Sequence, residues 1–419
     1  MGSTQLAIDG GAPVRTQPFP SVADVSGRRL GDEEIANLTE VIRSGKLFRY
    51  GGQFVVRFEE EFARRYGARH AIAATSGTAA LHVAVGALRT NPGDEIITSP
   101  ITDMGTIIPI LFQNAIPVFA DLEPDMYCMQ PQSIEQRLSD RTAAIIVVHL
   151  FGQPTDMNPV LDIANRRGIP VIEDCSQAYL TEYRGRLAGA MGALGCFSMQ
   201  QSKHMTAGDG GIVITNDDDL AMRARLFADK GWPRQGEARD YLFLGNNYRM
   251  NELTGAVACA QLGKVESVVA MRRAAAQKLT DRIDAIAGVN PPRVRDNCKH
   301  SYWQYVITID EDILGVSSRD FTAVLSAEGI PAGVGYIGRP IYMTQMLRER
   351  SAYGGSHCPW ECRLAGRAIE YREDDCPNTL DILRRVIVMP INENYTEQDV
   401  NDIAEALDKV AGHFRRKRP

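Results

Sequence analysis

Seven short β-rich runs, separated by segments of helical spacing, occupy residues 30 to 265 of this chain, and that alternation restricts its fold more than any other feature. The runs are HAIAAT (70–75), DEIITSP (94–100), IPVFADL (116–122), AAIIVVHLF (143–151), IPVIEDC (169–175), GCFSMQ (195–200) and GIVITN (211–216). Strands alternating with helices are the signature of a mostly parallel sheet covered by helices. Several runs are apolar on successive residues, as a strand must be when both faces of its sheet are covered. The segments between them, such as FEEEFARRYG and VLDIANRRG, end in glycine, a helix C-cap signal. The expected fold class is α/β, built on a large, mostly parallel seven-stranded sheet.

Beyond residue 265 the pattern changes. A long helical stretch, VESVVAMRRAAAQKLTDRIDAI, leads to the alternating run SYWQYVITI, then to loop-rich sequence and a last helix near 397–411. A chain of 419 residues is too long for one small core. Three parts are expected: an N-terminal arm (1–29), a large α/β domain (30–265) and a small C-terminal α+β domain (266–419). The polar stretch 348–378, with Gly, Ser, Pro and three cysteines, reads as a surface excursion.

The 46 basic and 52 acidic residues are spread along the chain and leave a net charge of -6, so no basic stripe points to nucleic acid. The run Arg415, Arg416, Lys417, Arg418 reads as a solvated, frayed tail. The opening MGSTQLAIDGG carries no secretory pattern, and the apolar stretch Ala143 to Val148 is too short to span a bilayer. A cytoplasmic location without membrane partners is the expectation. Eight scattered cysteines in such a chain argue for reduced thiols. His357, Cys358, Cys362 and Cys376 lie close together but match no common zinc module, so no metal is expected.

In open α/β sheets, ligands sit at the carboxyl ends of the strands. Three such places stand out. At Thr75-Ser76-Gly77-Thr78, a strand ends and a helix begins; small residues there let a phosphate approach backbone N–H groups, with the Thr78 hydroxyl as a further donor. Ser and Thr also cap helices that bind nothing, so this segment alone leaves both roles open. At Glu173-Asp174-Cys175-Ser176-Gln177, carboxylates close a buried strand, which is costly unless a cation answers them. A protonated pyridine nitrogen is such a cation; a structural, turn-capping aspartate is the alternative. At Ser198 to Met205, Lys203 follows an apolar strand and precedes the glycine-rich turn Gly208-Asp209-Gly210-Gly211, where a partly desolvated amine can form a Schiff base. His204, pointing opposite to its neighbour, reads as structural.

A phosphate-type turn, an acidic strand end and a lysine after a further strand follow in that order. In the stretches SGKLFRYGGQFVVRFEEEFARRYG, SGTAALHVAVGAL, GDEIITSP, PVFADL, VVHLFGQPTDM, VIEDCSQAY, GCFSMQQSKHMTAGDGGIVITND and GNNYRMNELTGAVACAQL the sequence resembles the DegT/DnrJ/EryC1/StrS sugar aminotransferases. These belong to the fold-type I enzymes that use pyridoxal 5'-phosphate. The resemblance is close over about residues 30–265 and loose beyond.

It implies that Lys203 is the catalytic Schiff-base lysine, that Asp174 partners the pyridine nitrogen, and that Gln177 neighbours the ring hydroxyl. It further implies that Gly77, Thr78 and Ser198 hold the phosphate, and that Asn247 reaches the phosphate of a neighbouring subunit in a homodimer with shared active sites. Arg249, near the same interface, is a candidate for holding the donor's carboxylate. Many members place an aromatic residue over the ring where this chain has Asp103 and Met104, so one of these two is expected to cover it. The opening LAIDGGAPVRTQPFP is similar to aminotransferases acting on keto cyclitols such as scyllo-inosose.

The expected function is transfer of an amino group from glutamine or glutamate to a keto sugar or keto cyclitol, in aminosugar or antibiotic biosynthesis. Two alternatives share the cofactor: a sugar dehydratase-like enzyme, whose familiar members replace the lysine with histidine, and a non-catalytic regulator, for which no DNA-binding segment is found. A dinucleotide-binding oxidoreductase would need a GxGxxG turn after the first strand, and there is none.

Overall fold

The computed structural model describes residues 5–234 and 239–417. In chain order the strands are β1 (His70–Ala74), β2 (Glu95–Thr98), β3 (Ile116–Phe119), β4 (Thr142–Val148), β5 (Val171–Asp174), the short hairpin β6 (Glu182–Tyr183) and β7 (Arg186–Leu187), then β8 (Leu194–Ser198) and β9 (Gly211–Thr215). All seven expected runs enter one sheet, ordered β1-β9-β8-β5-β4-β2-β3. The five strands from β8 to β3 are parallel, and β9 runs antiparallel to both of its neighbours. The fourth run is shorter than expected: β4 stops at Val148, and a tight turn follows in which Phe151 has φ 59°.

The consecutive apolar residues serve both faces. On one, the helix Gly77–Ala87 packs against Ile72, Ile96, Ile146 and Val213. On the other, Phe58 and Phe62 of the helix Phe54–Tyr66 meet Phe197, Ile145 and Val147. A strand alternating polar and apolar residues would have put polar atoms into one of these two cores.

The later strands are β10 (Val289–Asn290), β11 (Cys298–Lys299), β12 (Gln304–Ile309), β13 (Gly333–Val334) and β14 (Ile387–Pro390). Four of them form an antiparallel sheet in the order β10-β12-β14-β13, while β11 pairs with β6. The helices Val265–Ile283 and Glu397–Lys417 supply Leu279, Ile283, Ile403 and Leu407 to its core, beside Tyr305 and Ile307. Leu6 of the N-terminal arm is buried in the same core, and Arg15 bridges Asp399 and Asp402, each at 2.7 Å. Farther along the arm, the Val22 carbonyl accepts from Gln201 Nε2 at 2.9 Å.

Three expectations are corrected. The basic run is no frayed tail over its described part, because Arg415 and Arg416 stand on the last helix, which continues through Lys417; Arg418 lies outside the described residues. The cysteines are not all reduced: Cys358 and Cys362 form a disulfide, their Cα atoms 5.2 Å apart, and only three residues separate them along the chain. Nor is 348–378 merely a surface excursion. Its Trp360 is buried with Ile107, Leu111, Ile116 and Phe119, the Tyr371 hydroxyl donates to the Pro117 carbonyl at 2.7 Å, and Arg367 forks onto Glu95 with two bonds of 2.8 Å. Polar composition hid these few anchoring aromatics. Among the described residues, no helix is long and apolar enough to cross a membrane.

Candidate active site

A cavity of about 390 Å³ opens at the carboxyl ends of β5 and β8. Seven residues singled out from sequence line it together: Gly77, Thr78, Asp103, Asp174, Gln177, Ser198 and Lys203.

The turn after β1 comes first. Ser76 caps the helix Gly77–Ala87, its Oγ accepting the Ala79 N–H at 3.0 Å. That cap leaves the N–H groups of Gly77 and Thr78 in the first helical turn, where the helix dipole favours an anion. Gly77 is required by proximity: a Cβ there would lie 2.5 Å from Ser198 Cβ and 2.8 Å from its Oγ. The turn thus fulfils both roles that its sequence left open, a capped helix and a concave bed of donors.

At the end of β5 two adjacent carboxylates have different surroundings. Glu173 is fully buried; it takes the N–H groups of Gly189, Met191 and Gly192 at 2.6–2.8 Å and contacts His149 Nε2 at 3.0 Å. Burial opposes its ionisation, but the His149 bond and these N–H groups prevail and hold the carboxyl below its ordinary range. Cys175 stands close to this pair, yet both nitrogens of His149 are occupied, Nδ1 by the Thr155 N–H at 3.0 Å. Asp174 faces the cavity with only neutral donors, the Thr106 hydroxyl at 2.8 Å and the Ser176 N–H at 3.0 Å. Such a carboxylate is placed to receive a cation from a ligand.

Gln177 is held at both ends of its amide: Oε1 accepts the Phe151 N–H at 2.7 Å, and Nε2 donates to the Tyr336 hydroxyl at 3.1 Å. One N–H of that amide remains for a ligand. Lys203 is anchored by its backbone, its N–H donating to the Gln200 carbonyl at 2.9 Å and its carbonyl accepting from Arg28 Nη1 at 2.7 Å. Its amine lies 4.3 Å from the Trp303 ring centroid. Burial lowers the amine's pKa from the ordinary lysine value, against the opposing charges of Asp174 and Asp103. His204 points away, its Nε2 on the Ser301 carbonyl at 3.0 Å, in keeping with a structural role.

Of the two residues considered for covering the ring, Asp103 lines the cavity, whereas Met104 packs with the cluster around Ile107 and Tyr342. Asp103 caps the helix Met104–Phe112, accepting the Gly105 N–H at 2.7 Å.

Asn247 and Arg249 stand apart from this cavity. Asn247 is exposed, and Arg249 Nη1 is bound to Asp229, which also takes the Tyr50 hydroxyl at 2.7 Å and Arg234. Between them, Tyr248 is held by His82 Nδ1 at 2.9 Å, while His82 Nε2 meets Gln113 Nε2 at 2.8 Å. Leu244 is 93% exposed and Phe48 48% exposed near this loop, a large apolar presence for a solvated surface.

Trp303, Tyr336 and Thr106 were not foreseen as site residues. Trp303 belongs to the alternating run before β12, which reads only as strand, and Tyr336 stands in a turn with φ 53° that no motif marks. Thr106 alone had a signal, lying three residues beyond Asp103 in the first turn of the helix after β2.

Residues 28–408 match the model of the DegT/DnrJ/EryC1/StrS aminotransferase family. An L-glutamine:2-deoxy-scyllo-inosose aminotransferase of Streptomyces kanamyceticus is 34% identical, over 98% of each chain. GDP-perosamine synthase of Caulobacter vibrioides is 32% identical over 86% of this chain and 90% of its own. Among solved structures, an aminotransferase from Psychrobacter cryohalolentis is 28% identical with a TM-score of 0.81, covering 95% of this chain and 99% of its own.

Proposed function

The chain belongs to the DegT/DnrJ/EryC1/StrS aminotransferase family and is an aminotransferase; from that premise we propose that it carries pyridoxal 5'-phosphate on Lys203 and transfers the amino group of L-glutamine to a keto cyclitol. The observation that carries this reading is the meeting of Lys203, Asp174 and the Gly77-Thr78 turn in one cavity.

The residues present fit the cofactor. The crevice between Gly77 and Ser198 admits no side chain, as close approach of a phosphate to backbone requires. Asp174 offers a carboxylate hydrogen-bonded by neutral donors, matched to a pyridinium. When bound, the cofactor supplies an electron sink through which an amino group passes between carbon skeletons.

The chain's own groups do the rest. Gly77, Thr78 and Ser198 hold the phosphate, Asp174 keeps the pyridine nitrogen protonated, and the free N–H of Gln177 meets the ring hydroxyl. Lys203 Nζ, with its basicity lowered by burial, carries the proton to and from the donor's α-carbon. Donor and acceptor use the same cavity in turn, so ping-pong kinetics are expected.

The glutamine donor and cyclitol acceptor are supported by full-length similarity to the S. kanamyceticus enzyme, named for those substrates. The same reading makes the protein a homodimer in which Asn247 completes the partner's phosphate site, supported by its place outside the lining of its own cavity and by exposed Phe48 and Leu244. It retains the arm, large domain and small domain at 1–29, 30–265 and 266–419.

The test is spectroscopic. L-Glutamine should bleach the visible band of the holoenzyme, and a keto cyclitol should restore it; a band that persists with every amino donor would sink the proposal. Mixing Lys203→Ala with Asn247→Ala subunits should restore one working site per dimer, and no recovery would refute site sharing.

A further inference from the structure

Among the described residues, Asp103 is a charged side chain at the cavity that takes no part in the phosphate bed or in pairing with the pyridine nitrogen, and a helix holds it in place. Its Oδ1 is fixed by the Gly105 N–H at 2.7 Å, which leaves Oδ2 available, and the residue is exposed on the cavity side. Its charge reaches both groups that flank the reacting space, opposing the fall in the Lys203 pKa and adding to burial in pushing the Tyr336 phenol up to about 12. The phenol therefore stays neutral, and among the described residues Lys203 is the cation whose charge acts against that of Asp103.

The charge balance of the lining points the same way. Asp103, Asp174 and Asp209 face one lysine. The nearby guanidinium groups are committed elsewhere: Arg28 to the Lys203 carbonyl, Arg272 to Glu393 and Arg249 to Asp229. Among the described residues of one chain, a diphosphate-linked sugar would find no guanidinium in the cavity lining and would meet the carboxylate of Asp103. A ring bearing an ammonium group would find a fixed acceptor.

We propose that Asp103 determines acceptor specificity, by taking a charge-assisted hydrogen bond from an amino group already present on the keto-cyclitol ring. The inference rests on the keto-cyclitol reading above and names, within it, the aminated ketone as the preferred acceptor. Asp103 acts as a binding group and takes no part in moving protons. A charge-assisted bond of this kind corresponds to a preference of roughly 10- to 100-fold over the matching hydroxyl compound.

The experiment compares wild-type holoenzyme with Asp103→Asn, which keeps the helix cap because asparagine caps as well as aspartate. Two acceptors are used: an amino-substituted keto cyclitol and its hydroxyl counterpart. In Asp103→Asn, kcat/KM for the amino ketone should fall roughly 10- to 100-fold further than that for the hydroxyl ketone. Equilibrium titration with aminated scyllo-inositol and with scyllo-inositol itself should show the same selective loss, which keeps binding separate from turnover. Thermal melting of Asp103→Ser, a second capping variant, guards against misfolding. Equal losses on both acceptors, or no wild-type preference, would overturn the role of Asp103 while leaving the keto-cyclitol reading intact. Amination of a nucleotide-linked keto sugar and of neither cyclitol would overturn both.

Discussion

The Lys203 amine rests 4.3 Å from the centre of the Trp303 ring, and the Trp303 indole nitrogen donates to the carbonyl of Ser202, the residue before that lysine, at 2.9 Å. One side chain thus shields the amine and fixes the backbone that carries it. Trp303 and Ser202 also line a second cavity, roofed by Pro18 to Val22 of the N-terminal arm, so the indole is the wall between the two spaces. Trp303→Ala should cost about 3–5 kcal/mol of stability, the usual range for emptying a buried aromatic site. Trp303→Phe, which keeps the wall but loses the donor, should cost only about 1–2 kcal/mol. Urea denaturation of the two variants checks the order.

Gly77→Ala should damage cofactor binding more than folding. The new methyl would fall 2.5 Å from Ser198 Cβ, in the crevice where the phosphate is expected. Cofactor affinity measured by equilibrium dialysis should drop at least about 10-fold, the equivalent of one charge-assisted hydrogen bond. Unchanged affinity would remove Gly77 from the phosphate site.

Thr106→Val takes from Asp174 the hydroxyl that donates at 2.8 Å. The carboxylate then faces the pyridine nitrogen with one fewer anchor, and kcat/KM should fall roughly 5- to 50-fold. Asp174→Ala, which removes the partner itself, should cost far more than Thr106→Val. Steady-state kinetics on both variants decides whether Thr106 acts through Asp174.

Acid should weaken the protein partly through His82. Burial holds its pKa down to about 4, against 6.5 for an ordinary histidine. Between those values the unfolded chain binds the proton and the folded one does not, so stability rises with pH from about 4 to 6.5 and is lost as pH falls through that window. The full effect is about 3 kcal/mol by linkage. His82→Gln should lose less stability than wild type between pH 7 and 5; parallel losses in urea midpoints would show that His82 does not carry the effect.

The seven strands were legible because a doubly covered sheet demands consecutive apolar residues, and stretches such as AAIIVV meet that demand. Gly77, Asp174 and Lys203 were legible because each directly follows such a strand, where topology places ligands. Trp303 and Tyr336 reach the cavity from 100 residues or more beyond Lys203 only through tertiary folding, and local pattern does not encode that approach. Arg249 shows the converse: its sequence position suggests an available guanidinium, but Asp229, brought close by the bridge between Asp229 and Asn247, engages it. The aromatic anchors Trp360 and Tyr371 were concealed by the polar residues around them.

The segment bearing those anchors has a bearing on how this protein can be divided. β3 is the last strand of the large sheet and pairs only with β2, so its outer side is an open row of peptide groups broken by Pro117. Tyr371 occupies the Pro117 carbonyl, and Trp360 lies over Ile116 and Phe119. A shortened protein ending near residue 265 would contain all seven strands and still lack its seam. Its bare margin would invite strand addition from other copies, the route by which unprotected sheet edges grow into insoluble assemblies.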